Sequence, residues 1–353
     1  MDIKNIKEET FWKDFYNRTY EKNIPFTAQF ELTYKCNLKC CHCNIVPEPG
    51  REELTTEEAC SILDQLAEAG CLVLTFTGGE PLTRSDIFEI LTYSKKKGFN
   101  ATLFTNGTLI SPGVADKLRD INIDKVEISF YGITPGTFEK ITRVRGSFHH
   151  CLQGIKLLQK RNIPVTLKMV VMTLNLKEFD RVKELAREQG IPFRYSHIIM
   201  PNFDGSPGPL LYRLPPKEAV DLEIENYPSA DSEEERVWKE SKPFVSKDEF
   251  FYCTAGRNSL AINPYRELNL CSSFHFPRYD LRKGDLFSGW KVLVDYVAGA
   301  KQGESCQCRD CEFWDFCCWC PVQGWAEMRD LSACIPYFKE LAKLRAKRLA
   351  GVK

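Results

Sequence analysis

Cys36-Asn37-Leu38-Lys39-Cys40-Cys41-His42-Cys43 follows directly on the apolar run Phe26 to Leu32 and places three thiols at the spacing C-x3-C-x2-C. Three thiolates on one tight loop can hold a metal centre that stays one ligand short. An iron–sulfur cubane is ordinarily held by four cysteines, so such a loop at the end of a strand leaves one iron open to a small molecule. A structural zinc site competes on spacing alone, but zinc takes four closed ligands, usually from two paired C-x2-C knuckles. Cys41 is the spare thiol and reads as a neighbour of the other three.

From Pro25 onward the chain alternates short apolar runs with helical segments, the pattern of βαβ units and a parallel sheet in an α/β fold. Strands are predicted over Phe26 to Leu32, Cys71 to Thr77, Ala101 to Phe104, Val126 to Phe130, Val165 to Met172 and Phe193 to Ile199. Helices are predicted over Thr56 to Ala69, Asp86 to Lys97, Ser111 to Arg119, Phe148 to Arg161 and Leu176 to Gln189, with Gly70, Gly98 and Gly190 closing three of them. An open flavodoxin-like sheet gives the same string. A second stretch, Thr77-Gly78-Gly79-Glu80-Pro81, follows the second strand; paired glycines let backbone approach a ligand, and a carboxylate at Glu80 can accept from an ammonium group. Asn106-Gly107 and Ser129 stand at the ends of the third and fourth strands, where barrel enzymes build their sites, although Asn106-Gly107 reads equally as a plain turn.

The cysteine loop, with Gly78-Gly79-Glu80 one βα unit later, resembles the signature of the radical S-adenosylmethionine (radical SAM) enzymes. That resemblance implies a partial (β/α)6 TIM-type barrel and a [4Fe-4S] cluster on Cys36, Cys40 and Cys43. Its open iron would chelate the amino and carboxylate groups of S-adenosylmethionine, and reductive cleavage would yield a 5′-deoxyadenosyl radical that takes a hydrogen atom from the substrate. The same resemblance implies cofactor contacts at Gly78, Gly79 and Glu80 for the amino group, Asn106, Ser129 for the ribose, and Asn175. Arg143 is the implied carboxylate partner, because a guanidinium meets a carboxylate at two points; Arg145 competes for that role.

A chain of 353 residues suggests a large domain and a smaller one. Four segments are expected: a lead-in helix over 1–25, the barrel over 26–216, an acidic linker over 217–250 around Glu233-Glu234-Glu235, and a cysteine-rich domain over 251–353. Met200 to Pro216, rich in proline and glycine, reads as a long loop over the barrel mouth. Basic and acidic residues balance at 48 each, so no global field points to nucleic acid or a membrane. Without a signal sequence or a spanning segment, a cytoplasmic protein is expected, and its sixteen cysteines read as metal ligands more readily than as disulfides. Cys60, Cys71 and Cys151 lie singly in apolar surroundings and read as core.

The C-terminal thiols resemble the SPASM extension of radical SAM enzymes, with its β-hairpin, helices and two auxiliary iron–sulfur clusters. Carried over position by position, Cys253, Cys271 and Cys320 would hold the first cluster, and Cys308, Cys311, Cys317 and Cys334 the second. The chain departs from the pattern in three ways. Arg266 stands where the hairpin glycine is expected, the last knuckle is one residue short, and Cys306 and Cys318 are extra thiols. A zinc ribbon over Cys308 to Cys320 is the competing reading. Ser272 occupies the place of an aspartate base in sulfatase-maturing relatives, which disfavours formylglycine formation.

The domain order looks like that of the pyrroloquinoline quinone peptide cyclase group. It implies oxidation of a peptide or protein side chain to a C–C or C–S crosslink, with the auxiliary clusters accepting an electron. Implied partners are the peptide, a separate leader-recognition protein because no leader-binding domain precedes the barrel, and a low-potential donor such as flavodoxin or ferredoxin. A tetrapyrrole or metal-cofactor maturase is the alternative enzyme, and an iron–sulfur scaffold or electron carrier the nonenzymatic one. Tyr195, His197 and Asp204 lie near the expected barrel mouth as candidates for proton transfer, and barrel packing accounts for them nearly as well.

Overall fold

The computed structural model describes residues 8–226, 249–301, 306–308 and 310–349. Six parallel strands, β1 (Thr27–Thr33), β2 (Val73–Gly78), β3 (Asn100–Thr105), β4 (Lys125–Ser129), β5 (Val165–Val170) and β6 (Phe193–Ser196), form the partial barrel in sequential order. Alternation along each strand sorts the side chains by face. On β1, Phe30 and Leu32 are fully buried in the apolar core, while Glu31 has the opposite parity. Pairing sets Glu31 beside Thr77 of β2 and Ser129 of β4 beside Lys168 of β5, so a polar row lines the concave side.

Helices α2 (Thr56–Glu68), α3 (Ile87–Lys96), α4 (Pro112–Asp120), α5 (Pro135–Thr142), α6 (Ser147–Gln159) and α7 (Phe179–Glu188) connect the strands. Thr55 closes a capping box with Glu58, and Ser111 and Thr134 cap α4 and α5 with a proline following each. Five helices fall where periodicity placed them. The short α5 was not anticipated; its Thr134-Pro135 start was the available signal. Ahead of the barrel, α1 (Glu8–Glu21) lays Phe15 and Tyr16 against Phe26, with ring centroids 5.4 and 6.3 Å apart.

The C-terminal part is not a detached unit. Strand β7 (Ser259–Ile262) joins β1 in parallel, and β8 (Glu267–Cys271) and β9 (Phe274–Asp280) extend the same sheet antiparallel to nine strands. The β7–β8 hairpin lies between Cys253 and Cys271, with Arg266 in its turn. Arg266 takes the left-handed φ of +65° there, a conformation that costs a non-glycine residue about 1 kcal/mol. Its guanidinium offsets this by donating to Glu58 Oε2 at 2.6 Å and Glu52 O at 3.2 Å, tying the hairpin to the start of α2. Three helices complete the chain: α9 (Leu286–Gly299), α10 (Pro321–Met328) and α11 (Pro336–Leu349).

The expected linker over 217–250 begins instead as a helix, α8 (Pro216–Glu225), which buries Ala219, Val220 and Leu222. Two of its acids are paired: Asp221 with Lys217 and Arg348, Glu223 with His197 and Arg345. Glu233-Glu234-Glu235 lie outside the described residues. Among those described, no helix is long and apolar enough to cross a membrane.

Candidate active site

The cysteine loop leaves the end of β1 and is pinned from outside. Lys39 N donates to Thr142 O at 3.0 Å and Cys41 N to Ile141 O at 2.9 Å, so the end of α5 fixes its curvature. This pairing buries the Cys41 thiol in the core and leaves Cys36, Cys40 and Cys43 lining a cavity of 920 Å³ at the C-terminal ends of the strands. Gly78, Gly79, Asn106 and Ser129 line it too. Leu38 N lies 3.4 Å from Cys36 Sγ and Asn106 Nδ2 lies 3.9 Å from it, the latter amide also holding Asn37 Oδ1 at 2.9 Å. Enclosure pushes all three thiols up; charge on Cys43 adds to the rise at Cys36 and Cys40, and charge on Cys36 to that at Cys40. A positive centre is what would hold them as thiolates.

The glycine pair serves the loop as well as the cavity. A Cβ on Gly78 would fall 2.2 Å from Thr33 O, and one on Gly79 would fall 2.3 Å from Lys35 O. Backbone therefore passes against backbone, with Gly79 N on Thr33 O at 2.7 Å and Glu80 N on Lys35 O at 2.9 Å.

Three of the expected cofactor contacts, Glu80, Asn175 and Arg143, are not among the residues lining this cavity. Glu80 does not present its carboxylate to the cavity; it is fully buried and accepts from Thr105 Oγ1 at 2.8 Å, Leu82 N at 3.1 Å and Asn106 N at 2.7 Å. Burial raises it to about 7 despite those donors. Its role is to clamp the ends of β2 and β3 together. Asn175 is likewise sealed, donating to Tyr131 O and Val170 O at 3.0 Å each and accepting from Met172 N at 2.8 Å. Arg143 adopts the left-handed conformation that ends α5 and points outward to Tyr212 Oη at 3.3 Å; Arg145 is also exposed.

The cation that does line the cavity from the strands is Lys168. Its ammonium stands 3.5 Å from the Phe104 ring centroid and 3.4 Å from the buried Glu127, and burial lowers its pKa. A lysine inside the otherwise apolar run Val165–Val170, with concave parity, was the signal for it. Tyr131 and His42 also line the cavity, with ring centroids 4.9 Å apart; His42 Nδ1 is buried without a partner, and burial holds that ring neutral by lowering it to about 4.

Residues 30–197 match the Radical SAM superfamily. That matched segment runs from within β1 to just past β6 and is similar to the radical SAM enzymes. It is 36% identical over 188 residues to an AdoMet-dependent heme synthase of Methanosarcina barkeri, covering 52% of this chain and 53% of that protein. Over 168 residues it is 31% identical to a PqqA peptide cyclase of Granulibacter bethesdensis, covering 47% and 45%. The chain spans about half the length of the curated relatives it matches. Streptococcus suis SuiB bound to its precursor peptide SuiA shares the fold, with TM-score 0.70 at 16% identity over 96% of this chain and 84% of that one. Native anSMEcpe with bound AdoMet superposes with TM-score 0.62 at 16% identity, covering 92% and 98%.

Two further thiol groups lie beyond the cysteine-loop cavity. Cys320 is pushed up to about 12 by burial and then by the neighbouring Cys253 and Cys271, so these three share one neighbourhood. Ser272, next to Cys271, lines the same cavity as the cysteine loop. Cys308, Cys311, Cys317 and Cys334 line a second cavity of 650 Å³, along with Cys253 and Cys318. Burial raises Cys308, and Cys306, Cys317 and Cys334 raise it further.

A groove of 520 Å³ runs between the barrel mouth and β9, sharing Tyr34, Asn44 and Pro47 with the cysteine-loop cavity. The loop after β6 forms one side of it: Phe203 N donates to Asn44 O at 2.9 Å, and the Phe203 ring stands 4.4 Å from that of His275. Of the three proton-transfer candidates only Asp204 reaches this groove. His197 is buried against Glu223 at 2.6 Å, and Tyr195 packs on Phe179 at 4.9 Å.

Proposed function

We propose that this enzyme binds a [4Fe-4S] cluster on Cys36, Cys40 and Cys43, cleaves S-adenosylmethionine there, and oxidatively crosslinks a peptide or protein side chain. When bound, that cluster supplies the electron that breaks the sulfonium bond. Asn106 and Leu38 N orient Cys36 through their N–H groups, Gly78 and Gly79 line the cofactor's space, and Ser129 and Lys168 offer a hydroxyl and a cation from adjacent strands. Joining two substrate positions removes two hydrogens. One leaves as an atom to the 5′-deoxyadenosyl radical, the other as a proton and an electron.

The observation that carries this reading is the succession of thiol groups. Cys36, Cys40 and Cys43 face a cavity that Ser272 also lines; beside it lie Cys271, Cys253 and Cys320, and then the outer set Cys308, Cys311, Cys317 and Cys334. Such a series suits an electron leaving the substrate for auxiliary clusters.

A tetrapyrrole substrate is the second reading, favoured by the likeness to heme synthases. Against it, the groove beside the cavity carries Glu48 and Asp204 as well as Arg278 and Arg329. That balanced lining suits a peptide better than a ligand bearing several carboxylates. Iron and acid-labile sulfide in anaerobically reconstituted protein test the proposal. About twelve irons per chain are expected, falling to about eight when Cys36, Cys40 and Cys43 become Ala, on four-iron clusters. About four irons with bound zinc would refute the auxiliary clusters.

A further inference from the structure

Arg345, on α11, is a cation whose side chain is only 11% exposed. Both edges of its guanidinium are engaged. On one side Nη1 donates to Phe316 O at 2.9 Å, and Nη1 and Nη2 each lie 3.4 Å from Cys318 Sγ. On the other, Nε and Nη2 meet Glu223 of α8 at 2.7 and 2.6 Å, and Glu223 is itself held by His197 Nε2 at 2.6 Å. A planar fork fixed at five contacts cannot swing away. The fixed cation therefore sits at the rim of the outer thiol cavity, one helical turn from Ala342, which lines it along with Phe338 and Lys339.

We infer that Arg345 sets the reduction potential of the cluster in the outer cavity, raising it so that this cluster accepts the electron leaving the substrate. The inference rests on the auxiliary-cluster reading proposed above. Hydrogen bonds to sulfur and nearby positive charge stabilise the reduced, more negative state of an iron–sulfur cluster. The Arg345 side chain is itself nearly buried, so water and salt screen its charge less than they would a surface cation. Charge from Arg345 already reaches Cys317, where it opposes the upward pressure of burial. Glu223 lies on the far edge of the fork, so at the sulfurs the nearer guanidinium outweighs it. Neutralising Glu223 should then strengthen what neutralising Arg345 removes.

Opposite signs from one ion pair are the test. Reconstituted protein carrying Ala at positions 36, 40 and 43, which leaves the auxiliary clusters alone, is titrated potentiometrically with EPR detection, and iron and sulfide are counted in each sample. Arg345→Gln should shift one auxiliary midpoint to more negative potential and leave the other in place. Glu223→Gln should shift that same midpoint to more positive potential, and Arg345→Lys should fall between Arg345→Gln and the parent. Unchanged midpoints at full iron content would overturn the inference. So would shifts of one sign in Arg345→Gln and Glu223→Gln, which mean a loosened scaffold. Should Arg345→Gln lose iron, the signs in Arg345→Lys and Glu223→Gln decide. A parent protein lacking auxiliary iron would sink the underlying reading itself, an outcome visible in the iron count before any potential is measured.

Discussion

Replacing Gly79 with Ala should empty the cysteine loop of iron while leaving the rest of the chain folded. An added Cβ would stand 2.3 Å from Lys35 O and 2.8 Å from both Lys35 C and Tyr34 O. Ordinary carbon–oxygen contact lies near 3.4 Å, so the two backbones must part by about 1 Å, beyond what a rotamer change can relieve. Parting them breaks the bonds from Gly79 N to Thr33 O and from Glu80 N to Lys35 O, now 2.7 and 2.9 Å long. Each contributes about 1 kcal/mol net, and overpacking adds about 1–3 kcal/mol, for a total of about 3–5 kcal/mol. Because Lys35 directly precedes Cys36, the displacement falls on the first thiol. Anaerobic reconstitution followed by iron analysis should find about four irons fewer than in the parent, with melting lowered by several degrees. Gly136→Ala, where a Cβ meets nothing within 4 Å, is the control and should change neither. Full iron content and parental melting in Gly79→Ala would refute the claim that close backbone passage demands this glycine.

Other outcomes follow from the same geometry. Burial raises Glu31 from 4.5 to about 8, so its contribution to stability is fully present below pH 4.5 and lost as pH rises toward 8. The loss is up to about 5 kcal/mol at 1.36 kcal/mol per unit, and Glu31→Gln should flatten that decline in denaturant titrations across the range. Arg213, 9% exposed, makes a two-point pair with Glu327 at 3.1 and 2.5 Å; Glu327→Ala leaves it unpaired and should cost about 3–5 kcal/mol by calorimetry. Asn106→Ala removes the bracket on Asn37 and the side-chain amide 3.9 Å from Cys36 Sγ. Weaker S-adenosylmethionine binding at unchanged auxiliary iron, measured by equilibrium dialysis, is expected. Lys168→Met should lower S-adenosylmethionine binding too, while Arg143→Met leaves it unchanged, because only the former lines the cavity.

Glu80 and Arg143 show how far motif spacing reaches. Spacing along the chain put Gly78-Gly79-Glu80 beside the cysteine loop, and the structure keeps them adjacent. It carries no information on which way a side chain turns after a kinked strand end. Glu80 turns inward because three donors on Leu82, Thr105 and Asn106 await it; Arg143 turns outward because α5 ends there in a left-handed residue. Lys168 was open to recognition by parity alone, but an apolar run with one lysine reads as a strand before it reads as a site.

Local chemistry determined the alternation of strands and helices, the cysteine loop and the hairpin between Cys253 and Cys271, since periodicity, capping residues and thiol spacing act over a few residues. Long-range pairing decided the rest. That β7 adds to β1, that α8 stands where an acidic linker was expected, and that Cys41 is buried while Cys43 opens to the cavity depend on partners far along the chain. Hydrogen-bond pairing and burial of apolar faces select those partners only when the whole sheet closes.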